Sequence, residues 1–321
     1  MYWYYKYSLA LLAVLILLLV GKCALPKVFS SHPKEGREAV TDVAPLSKSA
    51  VLPPPQPGRT LPPGSMTESA DAQALARNFK ALMGEADTAR KAGRNDVAIE
   101  LGLKAMELPG LEIHGGAWRQ AATLVGEVNT HLFTSDAPSL RKTSVTVKNG
   151  DALANFATKK TTVRAIQRQN KIPLTSRNIR AGQQLTYFAG DWKLSVYKKD
   201  FLMVLEHKGQ FFKFYDVGLG KDNRTPSGSF KIKGKQENPP YYHPDGRIIP
   251  FGKPDNIIGT RWMRLVNSVD GSYDRIGIHG TAEPESVGKA SSAGCVRMRN
   301  AEVEELFDLL PDSSVEVIIK E

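Results

Sequence analysis

Only one of the two cysteines in this 321-residue chain, Cys295, lies beyond the first two dozen positions. It sits in Ser292-Ala293-Gly294-Cys295-Val296-Arg297, and upstream a strand-like segment ends in Ile278-His279-Gly280-Thr281. A lone thiol with an imidazole on a separate element, both beside glycine, is the pattern of cysteine nucleophilic catalysis. A free thiol is mostly protonated near neutral pH, and a neighbouring imidazole raises the thiolate fraction by taking up the proton. Gly294 lets a substrate carbonyl approach closely, and the Gly294 and Cys295 N–H groups are candidates for holding an oxyanion. The carbonyl of Gly280 is a candidate for orienting the imidazole. Ser292, Thr281 and Arg297 complete the candidate oxyanion and substrate-binding set. Arg297 has two readings, a planar fork for a substrate carboxylate or a structural tie between loops. Without these flanks a lone cysteine would read as a buried packing residue. His32, His114, His131 and His207 have no partner motif and read as surface or packing residues, whereas His243, in a Pro-Tyr-Tyr-His-Pro loop, could line a groove. No cluster has metal-ligand spacing, so neither metal nor cofactor is expected.

Positioning these groups falls to short β segments. Leu194, Val196, the run Phe201–Leu205, Phe211-Phe212, Phe214-Tyr215 and Val217 read as strands joined by Gly and Asp/Asn turns. Residues 191–321 are therefore expected to be mainly β. One late helix follows, with Asn300 as its N-cap and Pro311 at its end.

On these motifs the segment resembles the L,D-transpeptidase catalytic domain of bacterial cell-wall enzymes. The Ile-His-Gly-Thr end, the Ser-x-Gly-Cys-Val-Arg run, and Gly218-Leu219-Gly220 with Thr225-Pro226-Ser227-Gly228-Ser229-Phe230 occur in the family's order. Met298-Arg299-Asn300 and the closing Ser314–Ile319 stretch fit its last helix and strand. Many members carry a second histidine where this chain has Ala293. The resemblance implies a β-sandwich-like fold and a thiol that acylates on the third residue of a peptidoglycan stem. D-alanine would be released, and an amine of another stem would complete a cross-link. An L,D-carboxypeptidase with water as acceptor, and a non-catalytic wall-binding protein, remain as alternatives.

Residues 140–190 run Val145-Thr-Val-Lys-Asn-Gly150-Asp151-Ala-Leu153, then a helical stretch to Asn170, then Ile179-Arg-Ala-Gly182-Gln183-Gln-Leu185. This resembles a lysin-motif (LysM) domain of β-α-α-β order, with Asp151 read as a helix cap. The resemblance implies binding to the N-acetylglucosamine of the glycan; the other reading is a spacer. Residues 67–139 show three helical apolar stripes, reminiscent of tetratricopeptide hairpins, with scaffold packing as the favoured role. Residues 23–66 are proline-rich and read as an extended tether. Residues 1–22 hold an apolar run, Leu9 to Val20, flanked by aromatic residues and Lys6. An uncleaved single-pass anchor is favoured over a cleaved signal segment. Either way the remainder is expected on the exported, envelope side of the membrane. The lone thiol fits, since an idle one is endangered in an oxidising compartment.

The net charge of +10 is uneven: residues 143–189 carry eight Lys/Arg against one Asp, while 190–321 carry nineteen of each sign. A basic segment suits a polyanionic partner such as an anionic wall or acidic lipid. No nucleic-acid-binding signature accompanies it.

Overall fold

The computed structural model describes residues 65–321 apart from 273–274 and 313–314. The expected membrane segment, and the tether up to residue 64, lie outside the described residues. Among the described residues no helix is long and apolar enough to cross a membrane.

Three helices come first: α1 (Ser65–Lys91), α2 (Asn95–Met106) and α3 (Gly116–Thr134). Helix α3 is the central one. Trp118, Ala121, Ala122, Val125, Val128, Leu132 and Phe133 recur at helical spacing and are buried. The next segment has β-α-α-β order: β1 (Thr143–Thr146), α4 (Leu153–Phe156), α5 (Val163–Gln169) and β2 (Gln184–Tyr187). Strands β1 and β2 pair antiparallel, Val145 opposite Leu185. The segment has a small core of Val147, Leu153, Ile166, Leu185 and Tyr187. Asn170 ties its ends together, donating to the Thr186 carbonyl and accepting from the Thr186 N–H, each at 2.9 Å. Asp151 does not cap α4. Its carboxylate accepts from Lys148 N at 2.7 Å and closes the turn after β1, while Asn155 reaches back to Ala152 N.

The rest is mainly β. Strands β3 (Trp192–Tyr197), β4 (Leu202–His207), β5 (Gln210–Asp216), β7 (Gly228–Glu237), β10 (Ile258–Asn267), β11 (Gly277–Thr281), β13 (Val296–Arg297) and β14 (Glu316–Lys320) form one sheet. Its order is β13-β11-β10-β7-β14-β3-β4-β5. Short β6 (Leu219–Gly220) pairs with β12 (Ala290–Ser292), and β8 (Tyr241–Tyr242) with β9 (Ile248–Ile249). Pairing within the large sheet is antiparallel except β14/β3 and β11/β13. Helix α6 (Asn300–Leu309) buries Val303, Leu306, Phe307 and Leu309.

The helices and the sheet share one apolar core, in which Val125, Leu132 and Phe133 join Met203, Leu205 and Phe212. Residues of the helical region thus pack over β4 and β5. Asn129 Nδ2 donates to Phe212 O at 2.7 Å, and Arg119 pairs with Asp216 at 2.7 Å. The His114 ring packs edge-on against Trp118 and Tyr197 and reaches Asp200 at 2.6 Å.

The β-α-α-β segment is fastened to α6 by a buried carboxylate. Asp308, fully enclosed, meets Arg168 Nε at 2.6 Å and Arg164 Nη1 at 3.3 Å. Arg164 also grips Glu237 at 2.8 and 3.0 Å, and the Thr162 hydroxyl donates to the Asp308 carbonyl. Three of the segment's basic residues are used internally this way, since Lys171 pairs with Asp136. Deleting the segment would strip a buried carboxylate of its partners. Arg168→Ala should therefore cost about 3 kcal/mol of stability, because it leaves Asp308 with one long contact. Urea denaturation of both proteins checks this, and an unchanged midpoint would refute it.

Candidate active site

Strand β11 carries the imidazole in the most enclosed part of the sheet, with all five residues buried. It lies between β10, where Trp262 faces His279, and β13, where Ile278 faces Val296 and His279 faces Arg297 in parallel register. Extending that register by one residue sets Cys295 beside Gly277. In a pleated pair, residues two apart share a face. Cys295 and Arg297 therefore share a face with Gly277 and His279, Arg297 directly opposite His279 and Cys295 its diagonal neighbour.

The thiol addresses the edge of β11. Its Sγ points to the Arg275 carbonyl at 3.8 Å, and the Gly277 N–H also reaches it. Partial burial pushes the Cys295 thiol up from its ordinary value, while the Gly277 N–H and the Arg297 charge pull the other way. His279 is held from three sides. Its Nδ1 contacts the Gly280 carbonyl at 2.5 Å, Trp262 stacks on its ring with centroids 5.4 Å apart, and the Met298 N–H takes its own carbonyl at 2.8 Å. An Nδ1–H donated to a carbonyl fixes the tautomer and leaves Nε2 as the basic nitrogen. Burial lowers the His279 pKa to about 4; the Gly280 bond opposes this and the Arg297 charge adds to it. Near neutral pH the pair is thus a neutral thiol and a neutral imidazole, not a preformed ion pair.

The surrounding loops close on the thiol through glycine. A Cβ on Gly220 would meet Gly294 Cα at 2.9 Å and Thr225 N at 2.8 Å, and Gly294 has φ +143°. Thr225, buried, accepts from Gly220 N at 2.8 Å. Gly218 and Arg297 exchange both backbone bonds, at 2.8 and 2.9 Å. Gly277 is constrained too, because a Cβ there would lie 2.7 Å from the Trp262 ring. The three sequence motifs therefore meet at one place.

The YkuD family profile, an L,D-transpeptidase catalytic domain, matches residues 192–319. "Putative L,D-transpeptidase YqjB" of Bacillus subtilis is 48% identical over 99 residues, covering 30% of this chain and 53% of that protein. The chain thus spans about half the length of that relative. "Putative L,D-transpeptidase YkuD" of Bacillus licheniformis is 30% identical over 176 residues, covering 52% of this chain and 93% of that protein. The chain belongs to the L,D-transpeptidase family. Among solved structures, an L,D-transpeptidase from Mycobacterium smegmatis aligns at 16% identity and TM-score 0.33, over 44% of this chain and 64% of that one. Bd1075 of Bdellovibrio bacteriovorus aligns at 20% identity and TM-score 0.31, over 41% and 48%.

Of the residues picked from sequence in this family member, Cys295, His279, Gly280, Arg297 and Gly294 cluster. Ser292 is buried and used locally: its hydroxyl donates to the Cys295 carbonyl at 2.8 Å and accepts from Gly294 N at 3.1 Å. The Gly294 N–H is thereby occupied, which leaves the Cys295 N–H as the remaining oxyanion-donor candidate of that pair. Thr281 turns its hydroxyl onto Glu283 N at 3.0 Å. His243 pairs with Asp245 at 2.7 Å in the β8–β9 hairpin. Asn300 opens α6 without capping it, and its carboxamide oxygen accepts from Thr260 N at 3.2 Å, fastening the helix to β10. Trp262 and Gly277 were not singled out. Their only signal was place, Trp262 in a strand pattern and Gly277 two residues before the histidine. Among the described residues no group of His, Cys, Asp and Glu could hold a metal ion.

The neutral resting pair gives a pH test. Alkylation of Cys295 by iodoacetamide should rise steadily from pH 6 through pH 9, as solvent deprotonates a thiol whose pKa is raised. A rate already level between pH 5 and 7 would reveal a thiolate–imidazolium pair and contradict this. Stability should respond oppositely to acid. His279 and His207, the latter also lowered to about 4 by burial among Trp192, Phe188 and Phe212, are neutral when folded. The unfolded chain binds protons on them below about 6.5, so stability is full above that pH and falls as pH drops towards 4. Denaturation midpoints between pH 7 and 4 measure this, and His207→Phe should flatten the slope.

Proposed function

We propose that this protein is an L,D-transpeptidase of peptidoglycan that works through a thioester on Cys295. His279 Nε2 takes the thiol proton as Sγ attacks the carbonyl carbon of the L-centred third residue of a stem tetrapeptide. A C–S bond forms, the C–N bond to the terminal D-alanine breaks, and His279 passes the proton to the departing amine. The Cys295 N–H holds the oxyanion meanwhile. An amine of a second stem then attacks the thioester, loses a proton to His279, and restores the thiol. The observation that carries this reading is the parallel pairing of β11 with β13. It sets thiol and imidazole on adjacent strands of a wall with a fixed tautomer. A buried base of low pKa suits transient proton transfer, because it releases the proton it takes up.

The β-α-α-β segment, as a lysin-type module, holds the glycan through its β1–α4 and α5–β2 loops, where Lys148, Leu174 and Arg177 are exposed. The run Leu9 to Val20 keeps the protein at the membrane, with its domains on the wall side.

Muropeptide mass spectrometry after incubation with the protein tests the reaction. Parent protein should yield dimers lacking one D-alanine, and Cys295→Ala should yield none while folding normally. Trimmed tripeptide stems without dimers would make water the acceptor and the protein an L,D-carboxypeptidase. Activity surviving in Cys295→Ala would end the thiol assignment. Leu174→Asp should reduce pelleting with purified cell wall; unchanged pelleting would make the module a spacer.

A further inference from the structure

Arg297 is a buried cation whose bonding capacity is only weakly used. The residue is 7% exposed, yet its Nη1 reaches Glu283 Oε2 and Ser291 Oγ only at 3.4 Å, the far limit of a hydrogen bond. Its Nε is enclosed and meets no acceptor among the described residues. The Glu283 side chain is itself 50% exposed, so it does not form a compact buried pair. A guanidinium carries five N–H donors in a planar fork and stays charged at all accessible pH. Leaving such donors unsatisfied inside a protein is costly, and an under-used buried group in a native fold needs a reason.

Position supplies one. Arg297 is the cross-strand partner of His279 and lies two residues beyond Cys295. Two residues of strand span roughly 6.5 Å. In an extended peptide, the carboxylate carbon of a terminal residue lies about 4 Å from the carbonyl carbon of the preceding amide. A carbonyl held at the thiol, with its leaving residue directed along β13, brings that carboxylate within reach of the fork. Arg224 and Arg275 also border the thiol, through backbone near Gly294 and Sγ, but their side chains are exposed. They attract anions without orienting them. Arg261 also has an enclosed Nε, but its guanidinium lies over Phe307 of α6 and donates to Thr260 O.

We propose that Arg297 is the receptor for the free carboxylate of the departing D-residue, so that the site selects acyl donors that end one residue after the scissile bond. This rests on the thioester reading above and names what determines its donor. Bidentate N–H···O bonds replace the two stretched contacts, and Glu283 moves aside into water.

Two measurements separate this proposal from that reading. The first needs no turnover: Cys295 is alkylated with iodoacetate and with iodoacetamide, and the rate ratio is taken. The parent should favour the anionic reagent about tenfold more than a free cysteine peptide does, the size of one charge-assisted hydrogen bond. Arg297→Gln should bring the ratio to the peptide's value, and Arg297→Lys should keep part of it. A purely structural arginine would slow both reagents together and leave the ratio unchanged, which overturns the proposal. Glu283→Gln, at a half-exposed site, provides a variant that folds. Freeing the fork should raise the ratio about twofold, and no rise would count against Arg297. The second measurement is acylation by a stem tetrapeptide with a free or an amidated C-terminus. The parent should prefer the free acid by about tenfold or more, and Arg297→Gln should lose that preference. Equal acylation of both peptides by the parent overturns the proposal. Acylation by neither refutes the thioester reading instead, while the alkylation ratio still decides whether Arg297 receives an anion.

Discussion

The parallel pairing of β11 with β13 is the constraint on which the rest depends. Strand β13 has two residues, too few to hold a register by itself. It is held because Arg297 exchanges both backbone bonds with Gly218, Met298 N–H is bound to the His279 carbonyl, and α6 begins two residues later. Helix α6 is in turn fastened to β10 through Asn300 and to the β-α-α-β segment through Asp308. A slip of one residue would turn Cys295 to the opposite face from His279. The distant ion pairs and the helical cover therefore bear on the chemistry by keeping two short strands in step.

Burial sets the electrostatics. It disfavours both the thiolate and the imidazolium, so the resting site is neutral although Arg297 stands beside both groups. Arg297 favours charge on sulfur and disfavours it on the ring. In the mechanism proposed above, that influence would assist attack by the thiol and hasten release of the proton taken up by His279. The Gly277 N–H acts in the same direction on sulfur alone, and it can reach the thiol because Gly277 has no side chain to collide with Trp262.

Much of this was legible in the residues. The Gly-Cys and His-Gly runs were readable as a candidate thiol and imidazole because each has its glycine beside it in sequence, and the two lie on adjacent strands, β13 following directly on Cys295. The strand alternation in 191–321 and the apolar stripe of α3 followed from periodicity. Two capping assignments failed for one reason. Asp151 and Asn300 are residue types that cap helices, but each accepts from a different backbone N–H: Lys148, three residues back in the turn after β1, and Thr260, forty residues away on β10. The fastening of Arg164 and Arg168 to Asp308 joins residues about 140 apart, and charge pattern carries no record of it. Trp262 on His279 is likewise a cross-strand relation. Ser292 was expected in the oxyanion and substrate-binding set; its hydroxyl instead bonds the Cys295 carbonyl and the Gly294 N–H, a local loop contact that residue type does not reveal.

The most direct test is to trap the enzyme during turnover. The protein would be mixed with a stem tetrapeptide, quenched in acid, and the Cys295 peptide analysed by mass spectrometry. The account predicts an adduct on Cys295 with the mass of the donor less its terminal D-alanine, formed more slowly in His279→Ala and absent in Cys295→Ala. Turnover with no such adduct, or with the acyl group on another residue, would contradict it.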